Sequence, residues 1–134
     1  KDKMIGLEKS LDGVTDHGRI GQDKIMEETF KAGVWAYPCP FPEIYCIAAV
    51  KAQAAGAFPV CSNFAALDEM VQWGEKINMN DFNETILNEY KDKLISILLD
   101  DKRQNDEREL MMLWARNTKS WQSVAEQWIE EFES

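Results

Sequence analysis

The sequence predicts an α/β fold: part of a parallel sheet with flanking helices, followed by a helical tail. Short apolar runs at Val34–Tyr37 and Phe58–Cys61 alternate with helix-patterned segments over short links. That order builds β-α-β units. From Asp81 onward the apolar residues instead recur at three- and four-residue spacing, the mark of successive helices.

Each element has its own signal. Residues 4–11 read as a short helix or lead-in. Val14–His17 reads as a short strand closed by Gly18, and GRIGQ (18–22) as a turn with two glycines. Asp23–Ala32 is helical, with Ile25, Met26, Thr29 and Phe30 at i, i+3, i+4 spacing and Gly33 as its stop. Val34–Tyr37 is a buried strand. PCPFPE (38–43) is a rigid loop, because three prolines in five residues forbid helix. Ile44–Ala55 is the next helix, Phe58–Cys61 the next strand, and Asn63–Gln72 a short helix after it.

In the tail, Asp81 and Glu84 look like a capping box. They open a helix through about Leu99 with Phe82, Ile86, Leu87, Tyr90, Leu94, Ile97 and Leu98 on one side. Residues 102–116 form another helix, with Leu110, Leu113 and Trp114 apolar. Ser120 caps the last, where Trp121, Val124, Ala125, Trp128 and Phe132 share a face. The expected division is 1–79 for the α/β part and 80–134 for helices packed on it.

With 134 residues and 45% hydrophobic content, one core is feasible. Charge is uneven. Residues 1–62 hold 7 basic and 8 acidic groups, a net of −1; residues 63–134 hold 8 and 16, a net of −8. Nucleic acid is thereby excluded as an expected partner, since a phosphate backbone needs a basic footprint. Cys39, Cys46 and Cys61 are odd in number and irregular in spacing, which fits neither a disulfide framework nor a zinc site. A reducing compartment is the simpler reading. No apolar run reaches the roughly 20 residues of a membrane span, and no leader pattern is present. The expected location is cytoplasmic, with a peripheral membrane association open to the full-length protein. The sequon at Asn83 sits in a helix pattern, and His17, the lone histidine, is given no role.

The candidate site starts at Glu43, after the proline loop and at the carboxyl end of Val34–Tyr37. Ligands of open α/β sheets bind outside the carboxyl ends of strands. A helix beginning at Ile44 aims the free amides of Ile44, Tyr45 and Cys46 outward, a setting that favours an anion. A carboxylate beside them repels phosphate, so Glu43 is expected to accept hydrogen bonds from hydroxyls. On a continuous helix Lys51 stands about 12 Å further on and rotated by about 80°. Together they could flank one elongated ligand, such as a nucleotide sugar. Plain alternatives stand beside this: Glu43 as a helix N-terminal acid, and Lys51 as a snorkelling surface lysine.

PEIYCIAAVKAQAAGAFPV (42–60) resembles the signature of nucleotide-sugar glycosyltransferases of the GT-B fold, family 4 type. VTDHGRIGQDKIMEETFKAGVWAYPC (14–39) is similar to the strand, glycine turn, helix and strand that precede that signature. SNFAALDEMVQWGEKI (62–77) is similar to the segment after the signature, with Glu69 at the place of a recurrent acid, and KSWQSVAEQWIEEF (119–132) to the closing helix. The resemblance implies a Rossmann-like, C-terminal donor-binding domain. Its implied reaction is sugar transfer from a nucleotide diphosphate to an acceptor glycan, lipid or protein, with retained stereochemistry and no bound metal. It implies that Glu43 is the catalytic-site acid holding sugar hydroxyls. The amides of Ile44, Tyr45 and Cys46 would face the sugar and diphosphate, and the turn at Arg19 and Ile20 would sit beside the base.

Lys51 departs from the family, which has a second Glu there for the ribose hydroxyls. A lysine only donates, so the nucleotide contact is lost, rearranged or replaced by a diphosphate contact. This keeps open a catalytically degenerate binding or assembly module, and an unrelated nucleotide-binding α/β domain. The resemblance also implies strand order 3-2-1-4-5-6, with Val14–His17 third and Val34–Tyr37 fourth. The first two strands have no counterpart in the chain. It is therefore expected to be inactive alone, and to self-associate or be completed by another chain.

Overall fold

The computed structural model describes residues 10–134. It is an α/β fold with a three-stranded parallel sheet and, among the described residues, six helices. In chain order these are α1 (Gln22–Lys31), β1 (Val34–Tyr37), α2 (Ile47–Ala55), β2 (Phe58–Ser62), α3 (Ala66–Met70), β3 (Glu75–Ile77), α4 (Glu84–Leu98), α5 (Asp101–Thr118) and α6 (Trp121–Glu133). The sheet order is β1-β2-β3. Val34 pairs with Phe58 and Tyr37 with Cys61, then Val60 with Glu75 and Ser62 with Ile77. Parallel neighbours joined by helices agree with a Rossmann-like arrangement.

The central strand β2 is buried along its whole length, as a strand covered on both faces must be. On one face Phe58, Val60, Ile77 and Met79 pack with Tyr90 and Ile97 of α4. On the other, Cys46, Ala49, Cys61, Leu67 and Val71 pack with Trp35, Tyr37 and Cys39. The described residues before 80 and those after it thus share a core. Two buried glutamines tie helices together. Gln53 Nε2 donates to Ala49 O and Met70 O at 3.1 and 2.8 Å, and Gln104 Nε2 donates to Ile97 O at 2.7 Å.

Helix α5 lies across the amino-terminal edge of the sheet, where its arginines serve backbone carbonyls. Arg108 donates to Gly33 O at 3.3 Å and to Gly56 O; Arg116 donates to Ala54 O at 3.1 Å. Arg103 donates to Glu75 at 2.9 Å and to Gly74 O at 3.3 Å. Cations there complement the carboxyl ends of α1 and α2. Gly56 ends α2 at φ +90°, and its N–H closes on Ala52 O and Gln53 O, the left-handed stop that glycine adopts without strain.

Several expectations need correction. Val14–His17 is not a strand. Gly13 and Gly18 flank it at φ +82° and +60°, the Gly18 N–H donates to Asp16 Oδ1 at 2.7 Å, and Val14 is exposed. Local turn chemistry outweighs β propensity there. Helix α2 starts at Ile47 instead of Ile44, because Cys46 takes a left-handed conformation (φ 56°) that the helix cannot include. The helix after β2 shrinks to Ala66–Met70, and β3 at Glu75–Ile77 was not foreseen. Asn83 caps α4, accepting from the Ile86 N–H at 3.0 Å, while Asp81 accepts from Phe82 N. Of the helix expected at 4–11, residues 4–9 lie outside the described residues and 10–11 belong to a turn. Ser120 caps α6 as expected. The apolar face of α6 is not buried: Trp121 and Phe132 are 89% and 82% exposed.

Candidate functional site

Loop 38–46 leaves β1 at the carboxyl edge of the sheet and doubles back across it. Its prolines exclude helix, and three bonds pin it. Ser62 Oγ donates to Cys39 O at 2.5 Å, the Glu43 N–H to Phe41 O at 2.9 Å, and the Ala66 N–H to Glu43 O at 3.1 Å. Glu43 is thereby fixed by its backbone between β1 and α3. Its side chain is half-buried, and Oε1 accepts the Tyr37 hydroxyl at 2.9 Å. That bond raises the Tyr37 hydroxyl above its ordinary range, with burial adding to it. Tyr37 is itself stacked on Trp35, ring centroids 4.8 Å apart. One carboxylate oxygen is thus engaged, and the other retains its acceptor sites for an incoming hydroxyl.

The three residues after Glu43 are not the first turn of a helix, as the sequence suggested. Ile44 is 96% exposed, Tyr45 is exposed and Cys46 is buried. Among the described residues their N–H groups donate to no protein acceptor. Three successive amides beside Glu43, those of Ile44 and Tyr45 on exposed residues, therefore have no acceptor among the described residues, but they lack the aligned helix dipole. Burial pushes the Cys46 thiol upward and the Cys61 thiol up to about 12, so both stay protonated near neutrality. All three cysteines are free.

Lys51 is on the second turn of α2, and its Nζ donates to Gln22 Oε1 at 3.0 Å. The pair lies in a cleft of about 460 Å³ between α1 and α2, with Met26, Trp35, Ile47 and Ala48 among its walls. Glu43 does not line this cleft. The expected geometry, with Glu43 and Lys51 on one helix and eight residues apart, does not exist, because α2 begins four residues after Glu43. The Arg19–Ile20 turn runs directly into α1 and so into Gln22. Arg19 is exposed and Ile20 half-buried, and Glu69 is exposed on α3.

Tyr37 and Gln22 were missed in the sequence. Tyr37 read only as a strand residue. Its position before a chain-reversing proline loop was the available signal that it could meet Glu43. For Gln22 there was only adjacency to the Arg19–Ile20 turn. No helix among the described residues is long and apolar enough to cross a membrane. No protein-family model, curated protein or solved structure matches the chain.

Proposed function

We propose that the chain is the donor-binding portion of a nucleotide-sugar glycosyltransferase of the GT-B fold, family 4 type, transferring a sugar with retained stereochemistry. The observation that carries this reading is Glu43. It stands at the carboxyl edge of a parallel sheet, pinned through its backbone, with one oxygen on Tyr37 and three unengaged amides following it. An acid so held accepts from sugar hydroxyls, and the amides donate to the sugar or diphosphate. Catalysis of this kind is mainly positioning and stabilisation of the leaving group. Lys51, on the α1–α2 cleft beside the Arg19–Ile20 turn, is the donor that replaces the family's ribose-binding acid.

A second reading is a catalytically degenerate binding or assembly module of the same fold. Lys51 favours it, since its ammonium is directed to Gln22 and offers no acceptor for a ribose. Release of nucleoside diphosphate from UDP-, GDP- and ADP-sugars by the full-length protein separates the two, since this chain alone is expected to be inactive. The transferase reading expects release from at least one of them, abolished in Glu43→Ala. Binding without release supports the module. Neither binding nor release contradicts both.

A further inference from the structure

Eight lysines fall among the described residues, and six form ion pairs with a carboxylate: Lys24, Lys31, Lys76, Lys91, Lys93 and Lys102. Lys51 and Lys119 do not. Lys51 meets the Gln22 amide, and Lys119 rests over the Trp114 ring at 5.5 Å. In a chain of net charge −9, carboxylates are abundant, so two lysines without one are unusual. Both line the same cleft, about 390 Å³ between α2 and the start of α6. Its other walls are Tyr45, Ile47, Val50, Trp121 and Val124. Trp121 is 89% exposed and Tyr45 46% exposed. Among the described residues, no acidic side chain lines the cleft.

We propose that this cleft binds a small organic phosphate, its phosphoryl group between Lys51 and Lys119 and its flat or apolar body against Trp121 and Tyr45. Two ammonium groups match a phosphate monoester, which carries nearly two negative charges at neutral pH. A carboxylate would match only one. Lysines act as point charges and suit a tetrahedral oxyanion. The volume lies within the range of small-molecule sites. The Lys119 contact with Trp114 and the Lys51 bond to Gln22 are each a single tether of a half-buried lysine, and both yield to a phosphoryl group. An anionic membrane is the poorer occupant, because α6 carries Glu126, Glu130, Glu131 and Glu133 and no basic residue. The proposal shares Lys51 and Tyr45 with the donor reading but needs no glycosyl donor.

The test is a titration of the isotope-labelled protein with phenyl phosphate, followed at the Trp121 indole N–H and the amides of Tyr45, Lys51 and Lys119. Saturable shifts are expected at these groups, with inorganic phosphate about tenfold weaker. Lys51→Gln and Lys119→Gln should each weaken binding about tenfold, and the double variant should abolish it. Both side chains are partly exposed, and the dispersion of the amide spectrum verifies folding. Absence of saturation overturns the proposal, as does an unchanged affinity in Lys119→Gln. Shifts confined to Gln22, Met26 and Trp35 overturn it by moving the ligand to the other cleft. Binding only to phosphatidylglycerol vesicles overturns it in favour of a lipid surface. None of these results touches the Glu43 test, so the two readings fail separately.

Discussion

At the residue scale the hydroxyl of Tyr37 and the carboxylate of Glu43 explain each other. The tyrosine is held by its stack on Trp35, so it presents a fixed donor, and the acid takes one orientation. Tyr37→Phe keeps the ring and deletes the donor. It should cost about 1 kcal/mol in urea unfolding, the usual net worth of one hydrogen bond. The sign of its pH dependence follows from the raised hydroxyl pKa. The stability contributed is complete below the unfolded tyrosine value of about 10 and is lost as pH rises above it. Tyr90, raised by burial, acts the same way, its hydroxyl donating to Val60 O at 2.8 Å. The alkaline decline should therefore be shallower in Tyr37→Phe, without vanishing. An unaltered alkaline limb would show that the pair does not form in solution.

At the scale of elements the chain was legible wherever side-chain periodicity dominated. The apolar runs of β1 and β2, the existence of α1, α4 and α5, and the Ser120 cap are written in residue order, but the buried face is not: α5 buries Gln104, Met111 and Ala115 while Leu110 and Leu113 are exposed. What was not legible depended on backbone conformation or tertiary partners. Nothing in the sequence signals that Cys46 is left-handed, and that single residue moves the start of α2 and separates Glu43 from Lys51. Strand β3 has only Ile77 as a buried apolar residue. It exists because Gly74 delivers it flush against β2: a Cβ there would meet Pro59 O at 2.4 Å, at φ +109°. Gly74→Ala should cost more than about 2 kcal/mol through clash and backbone strain, measured by thermal unfolding; a neutral result would place β3 elsewhere. Glu75, next along, is held below the usual carboxylate range. Burial opposes this, and Lys93 at 2.8 Å and Arg103 at 2.9 Å outweigh it. Its contribution is present above the unfolded value of about 4.3 and lost as pH falls below it. Glu75→Gln should therefore cost about 0.5–1 kcal/mol at neutral pH, modest because its partners are partly exposed. It should also flatten the acid limb of a stability–pH curve.

At the scale of the whole molecule, the sheet is three strands wide among the described residues, and there β1 is an edge. Its sequence, Val34–Tyr37, is apolar, and three of its four residues are half-buried. Such an edge, with backbone groups free to pair, recruits another chain. The resemblance placed two further strands between Val14–His17 and Val34–Tyr37, but Val14–His17 does not join the sheet. We expect the isolated chain to sediment as a concentration-dependent mixture heavier than 15.4 kDa; a strict monomer at all concentrations would mean that the edge is adequately protected as it stands. The functional proposal rests on the carboxyl end of the same strand, β1, where Glu43 is offered to a ligand. Its decisive quantity is the affinity of the protein for a panel of UDP-, GDP- and ADP-sugars, compared between the native chain and Glu43→Ala by calorimetry. Saturable binding of at least one nucleotide sugar is expected, weakened tenfold or more by the substitution, about 1.4 kcal/mol. Binding that is absent across the panel, or equally tight in Glu43→Ala, would contradict the assignment of Glu43 to the sugar.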